Sequence, residues 1–121
     1  MPGPKIGVEN REAAANLEAF KNRVGATVSP DELKRIQDKV IAERTKPRDG
    51  WKGLQPQPDR TPQQVRTDIE NEAYRFRQQI ETEGQDTFQR DAKGLETALP
   101  EFEKQVYAII LLADSYRSKK K

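Results

Sequence analysis

The chain has 121 residues, 33% of them hydrophobic and 35% charged, against roughly 45–50% and 25% in an ordinary globular domain. That length holds one domain at most, and its core must be thin, because little apolar surface is on hand to offset a chain entropy of ~1–2 kcal/mol per residue. With no cysteine and no histidine, a disulfide framework, a zinc site, the commonest general base and the strongest neutral-pH nucleophile are excluded. A formal net charge of +2 excludes a strong field drawing the whole chain to nucleic acid or anionic membrane. The imbalance between the halves is mild: residues 1–61 carry 12 Lys/Arg and 9 Asp/Glu, and residues 62–121 carry 10 and 11.

In chain order, residues 1–9 bring two prolines and two glycines around Ile6 and Val8, which predicts an extended arm able to lie on a neighbour. No apolar leader segment and no Asn-X-Ser/Thr sequon occur, so the expected location is intracellular, in the cytoplasm or in a particle assembled there. Residues 10–45 read as two short helices. Asn10 is a candidate cap, three alanines favour helix, and Leu17, Phe20 and Val24 recur at helical spacing up to a terminating Gly25. Ser29-Pro30-Asp31-Glu32 is a helix start in which Ser29 bonds the third backbone N–H and Glu32 reaches back to Ser29. Leu33, Ile36, Val40 and Ile41 form the apolar stripe of that second helix, which Pro47 stops near Arg44.

Residues 46–61 form a long Pro/Gly-rich connection that carries the only tryptophan, Trp51, with Leu54 close behind it. Connections of this length without structure of their own tend to be functional or bound to a partner. A tryptophan there either folds back on its own helices or anchors an interface. Thr61-Pro62-Gln63-Gln64 repeats the capping logic with glutamine as the reciprocal partner. From Val65 the apolar or small residues fall at 69, 73, 76, 80, 84, 88, 92, 95 and 99, a mean step of about 3.8 residues, which is helical and longer than a heptad seam. The pattern predicts one long amphipathic helix within 62–98, continuous or broken once near Gly84. Leu99-Pro100 then turns the chain into a last helix, from about Pro100 to Arg117, that packs antiparallel on the long one. Residues 119–121 are a basic tail.

The last helix holds the one long unbroken apolar run, Val106 to Ala113. Eight residues cannot cross a bilayer, which needs roughly 20, and Asp114 follows at once, so no membrane insertion is expected. An apolar run of more than two turns nonetheless requires cover all round the helix. The rest of the chain looks short of apolar residues to supply it, so the expectation is that this helix completes its core against another molecule.

No stretch carries a motif specific to one family. Acidic neighbours such as Asp68 with Glu72, or Glu81 with Glu83, are routine on solvated helix faces, and Gly50-Trp51-Lys52-Gly53 lacks the spacing of a phosphate loop. The expected fold is all-α: two short amino-terminal helices after an extended arm, a Pro-rich connection, and a helical hairpin of the long amphipathic helix with the apolar carboxyl-terminal one. The expected role is non-enzymatic, an accessory or structural subunit of a large multiprotein assembly, by analogy a virus or phage particle component of the connector, cement or head-completion type. No cofactor or metal is implied. Expected partner contacts are Trp51, Leu54, Val106, Tyr107, Ile109, Ile110, Leu111 and Leu112, against protein subunits that include copies of the chain itself. The main alternative is RNA or DNA contact through Arg44, Lys46, Arg48 and Lys52 around Trp51, with Lys119, Lys120 and Lys121; Glu43, Asp49 and Asp59 are interleaved with that first cluster. A regulatory helical module acting on one partner is the other alternative.

Overall fold

The computed structural model describes residues 3–47, 58–90 and 98–118, with side chains from Arg11 onward. Among these residues it is all-α, with helices α1 (Gly3–Gly25), α2 (Pro30–Thr45), α3 (Pro62–Glu83), α4 (Thr87–Arg90) and α5 (Leu99–Ser118). Helix α5 touches each of the other four and α3 most extensively. Its Val106, Ala108, Ile109, Ile110, Leu112 and Ala113 are buried. Phe20 and Val24 of α1, Val40 of α2, Val65, Ile69, Ala73 and Ile80 of α3, and Phe88 of α4 complete the same core. The expectation that α5 lacks cover within its own chain is therefore corrected. Each outer helix needs only one apolar stripe when a single helix lies at the centre, so four short stripes suffice where the composition looks too thin. Burying one Val, Leu, Ile or Phe contributes about 1.5–3 kcal/mol.

Helix α3 runs antiparallel to α5, because Arg66 early in α3 meets Tyr116 late in α5, while Phe76 later in α3 meets Phe102 in the first turns of α5. Helix α2 lies alongside α5 in the parallel sense: Lys104 Nζ reaches Glu32 at 3.1 Å and Gln37 Nε2 donates to the Ala108 carbonyl. All four phenylalanines of the chain join in one cluster. Phe88 stands edge-on to Phe20, Phe76 and Phe102, with ring centroids 5.3–6.0 Å apart, an arrangement favoured by the ring quadrupoles. That cluster fastens the four-residue α4, too short to hold as an isolated helix, onto α1, α3 and α5.

The helix ends follow local chemistry, with two departures from the sequence reading. Thr61 and Gln64 form the full reciprocal capping box. Ser29 accepts from the Glu32 backbone N–H, but the Glu32 carboxylate turns to Lys104 instead, because a charge-assisted contact between helices is stronger than a neutral cap bond. The extended arm over residues 1–9 is also corrected: α1 begins at Gly3, and Asn10 lies inside it. Pro4 sits in the first turn, where its missing N–H breaks no helical bond and its φ is already helical, and the alanine run with the packed stripe beyond it propagates the helix backward through Gly7. Lastly, the long helix does break where glycine allowed. Helix α3 ends at Glu83, and Gly84 takes φ 107°, ψ 162° while its N–H still bonds the Ile80 carbonyl, a backbone conformation essentially reserved for glycine.

Candidate functional site

The residues singled out from sequence go to very different places. Val106, Ile109, Ile110 and Leu112 are buried in the chain's own core, and Tyr107 and Leu111 are half-buried. As expected contact residues of a partner surface the four buried ones are corrected, because own-chain helices already cover them. Tyr107 rests against the end of α1, so closely that a Cβ placed on Gly25 would lie 2.7 Å from its Oη. Trp51, Leu54, Arg48, Lys52, Lys119, Lys120 and Lys121 lie outside the described residues.

What the structure does describe is the base from which the Trp51 segment departs and returns. The Arg60 backbone N–H donates to the Thr45 carbonyl at 2.8 Å, which brings the last residue of α2 beside the residue preceding the α3 cap. Around that bond four side chains close a polar clamp. Arg44 makes a bidentate pair with Glu72, Nη2 to Oε1 at 2.7 Å and Nε to Oε2 at 3.0 Å. Arg60 donates to the Arg44 carbonyl and to the Asp68 carboxylate. These acceptors raise the pKa of Arg44 above its usual value, chiefly through the hydrogen bond with Glu72, and that of Arg60 through its hydrogen bond with Asp68. Asp68 and Glu72, set aside in the sequence as an ordinary acidic spacing, are thus the α3 side of the clamp. The signal for it was their spacing, which places both carboxylates on one face of α3.

The same clamp alters the nucleic-acid reading. Arg44 is committed to Glu72 and, at 3.4 Å, to Glu43, so its charge is already neutralised within the chain, whereas Lys46 is exposed. A guanidinium held in a bidentate carboxylate pair has little left to give a phosphate.

A second polar junction lies at the other end of the bundle. Glu103 is 5% exposed and receives both ends of the Arg23 guanidinium at 3.0 Å, while Arg23 also donates to the side chain and the carbonyl of Gln85. The hydrogen bond with Glu103 raises the Arg23 pKa against the opposing effect of burial. One arginine of α1 thereby holds the turn after α3 and the second turn of α5. No buried side-chain nitrogen or oxygen among the described residues lacks a partner, and the junction's arrangement is that of a structural lock rather than of a reacting pair.

Two features escaped the sequence reading. Among the described residues, Tyr74 and Phe102 are the exposed large hydrophobic residues, at 56% and 40%. Tyr74 falls off the α3 stripe, so periodicity placed it on the solvent side without marking it. Beside Tyr74, helices α1, α3 and α5 border an open groove of about 480 Å³, in which Asp114 is shared by Arg77 at 3.1 Å and Lys21 at 3.6 Å. Among the described residues no group of three or more carboxylates could hold a metal ion, and no helix is long and apolar enough to cross a membrane. Comparison with protein-family models, with curated proteins and with solved structures finds no match to any of them.

Proposed function

We propose that the protein is a non-enzymatic helical accessory subunit that joins a larger protein assembly through the connection between α2 and α3, the bundle serving as its rigid mount. The observation that supports this is the clamp: the Arg60–Thr45 backbone bond together with the Arg44–Glu72 and Arg60–Asp68 pairs. Four polar groups hold together the two ends of a segment whose sequence carries the only tryptophan. Tryptophan is the residue type most enriched among the energetic anchors of protein interfaces. Loops held at closely spaced ends on a firm scaffold are where binding residues concentrate. The setting suggested by sequence, a virus or phage particle component of the connector, cement or head-completion type, is one in which such a mount has an evident use, and it rests on analogy.

The test is gradient sedimentation of source-cell lysate with the chain followed by mass spectrometry. The wild-type chain should travel with a large particle after nuclease treatment, and Trp51→Ala should move to the top of the gradient while its helix content by circular dichroism stays at the wild-type level. Release of the wild-type chain by nuclease alone would make nucleic acid the partner and overturn the reading.

A further inference from the structure

We infer that the protein associates with copies of itself head to tail, the first turn of α5 on one copy entering the groove beside Tyr74 on the next. Two surface features carry this. The first is a knob: Pro100, Glu101 and Phe102 are consecutive and all exposed at the start of α5, so an aromatic ring and a carboxylate are offered together on a helical turn. The ring is held from behind by Phe76 and Phe88 and is therefore presented in a fixed position. The second is the groove, whose wall offers Leu17 and the exposed ring of Tyr74, with Lys21, Arg77 and Arg117 as cations. Against these stand the carboxylates of Asp114 and Glu81, which leaves the groove one positive charge in excess.

The two features are complementary in both respects that matter. Phe102 and Tyr74 are the exposed large hydrophobic residues among the described residues, and an aromatic pair across an interface gains from ring geometry beyond the area it buries. Glu101 matches the cationic excess of Lys21, Arg77 and Arg117, where Asp114 uses one donor of Arg77 and one of Lys21, leaving further N–H groups on each. A single net charge suits one carboxylate and not a run of phosphates, which the two acidic side chains of the groove would repel. One copy cannot fill its own groove, since Phe102 and Asp114 stand about 18 Å apart along α5 at roughly 1.5 Å per residue. The contact joins different patches of the two copies, so it propagates into a ring or an open string. A single helical turn in a groove buries less than the roughly 800 Å² per partner of a stable complex, so the association is concentration-dependent. This surface shares no residue with the clamp that mounts Trp51, so the two proposals stand or fall separately.

The experiment is sedimentation velocity of the purified full chain over a concentration series. Wild type should shift from monomer toward larger species as concentration rises. Phe102→Ser, which keeps the groove, and Tyr74→Ser, which keeps the knob, should each raise the dissociation constant at least tenfold with unchanged circular dichroism. Mixed together they should form a 1:1 heterodimer and stop there, because only one knob and one groove remain between them. Glu101→Lys, at an exposed position outside the phenylalanine cluster, supplies a second knob variant should Phe102→Ser lose helix content, and the same weakening is expected of it. A wild-type chain that stays monomeric at every concentration, association untouched by Glu101→Lys and Tyr74→Ser, or a mixture that fails to pair would each overturn the inference.

Discussion

Helix α5 and the base of the α2–α3 connection are closed by opposite means. Along the apolar run of α5 the contacts are apolar, with Val106, Ile109 and Ile110 buried against stripes from four helices. At the connection the contacts are charged and half-exposed: Arg44 with Glu72, Arg60 with Asp68, and one backbone bond. The difference shows how a chain with few hydrophobic residues divides them. They converge on one central helix, where burial stabilises most per residue, and charged residues fix the periphery, where each pair adds little but sets geometry.

That division is broken most severely at its apolar centre. Ile110 is fully buried, and Ile110→Asp sets an unpaired carboxylate into the place where α5 meets its neighbours. The expected loss is about 4 kcal/mol or more, a large share of the roughly 5–15 kcal/mol that holds a domain folded. Circular dichroism should show loss of cooperative melting; a helix content and midpoint near wild type would mean that α5 is not the core. Next comes the polar lock at the amino end of α5. Arg23→Ala strands the Glu103 carboxylate among α1, α3 and α5. Fully buried pairs broken in this way cost about 3–5 kcal/mol, and the partial exposure of Arg23 lowers the expectation to about 2 kcal/mol. A denaturant midpoint unchanged from wild type would show that water already serves Glu103. Smaller again is Gly84→Ala, expected to cost about 1–2 kcal/mol for a side chain forced into φ 107°. The space itself is open, since the nearest atoms to an added Cβ are Arg90 Nη2 and Asp86 Oδ1 at 3.5 Å. A neutral outcome would mean that the chain re-forms a continuous helix there.

Much of the scaffold was legible because it is written locally. Ser29 with Pro30 and Thr61 with Gln64 started α2 and α3 where expected, Gly25 ended α1, and Gly84 marked the break. The misreadings share one cause, namely contacts between residues distant in sequence. Pro4 and Gly7 carry local signals against helix, yet α1 extends through them as the continuation of a helix anchored by Leu17, Phe20 and Val24. The apolar run in α5 plainly had to be covered, but periodicity shows that a face is apolar without showing which faces meet. Phe20, Phe76, Phe88 and Phe102 come from four elements, and only the folded chain makes them one cluster. The clamp was hidden for the same reason, since Asp68 and Glu72 look like solvated acids until Arg44 and Arg60 are placed beside them.

The mildest substitution bears most directly on function, because it loosens the mount without disturbing the core. Glu72→Ala removes the bidentate partner of Arg44, which retains Glu43 at 3.4 Å as a weaker neighbour. Pairs of this exposure contribute about 0.5–1 kcal/mol, so the denaturant midpoint should fall only slightly. Amide hydrogen exchange reads the local effect: the Arg60 N–H, bonded to the Thr45 carbonyl, should exchange faster in Glu72→Ala, while amides inside α5 change only by the small global loss. Added salt should speed Arg60 exchange in the wild type in the same direction, because half-exposed ion pairs are screened and apolar contacts are not. If the Arg60 amide keeps its wild-type rate in Glu72→Ala, the backbone bond holds the stem unaided and the charges around it are incidental. If instead it opens selectively and binding of the assembly weakens with it, the clamp couples the bundle to the segment carrying Trp51. The two regions then divide the work between them, with α5 keeping the chain folded and the charged stem setting where the contact is made.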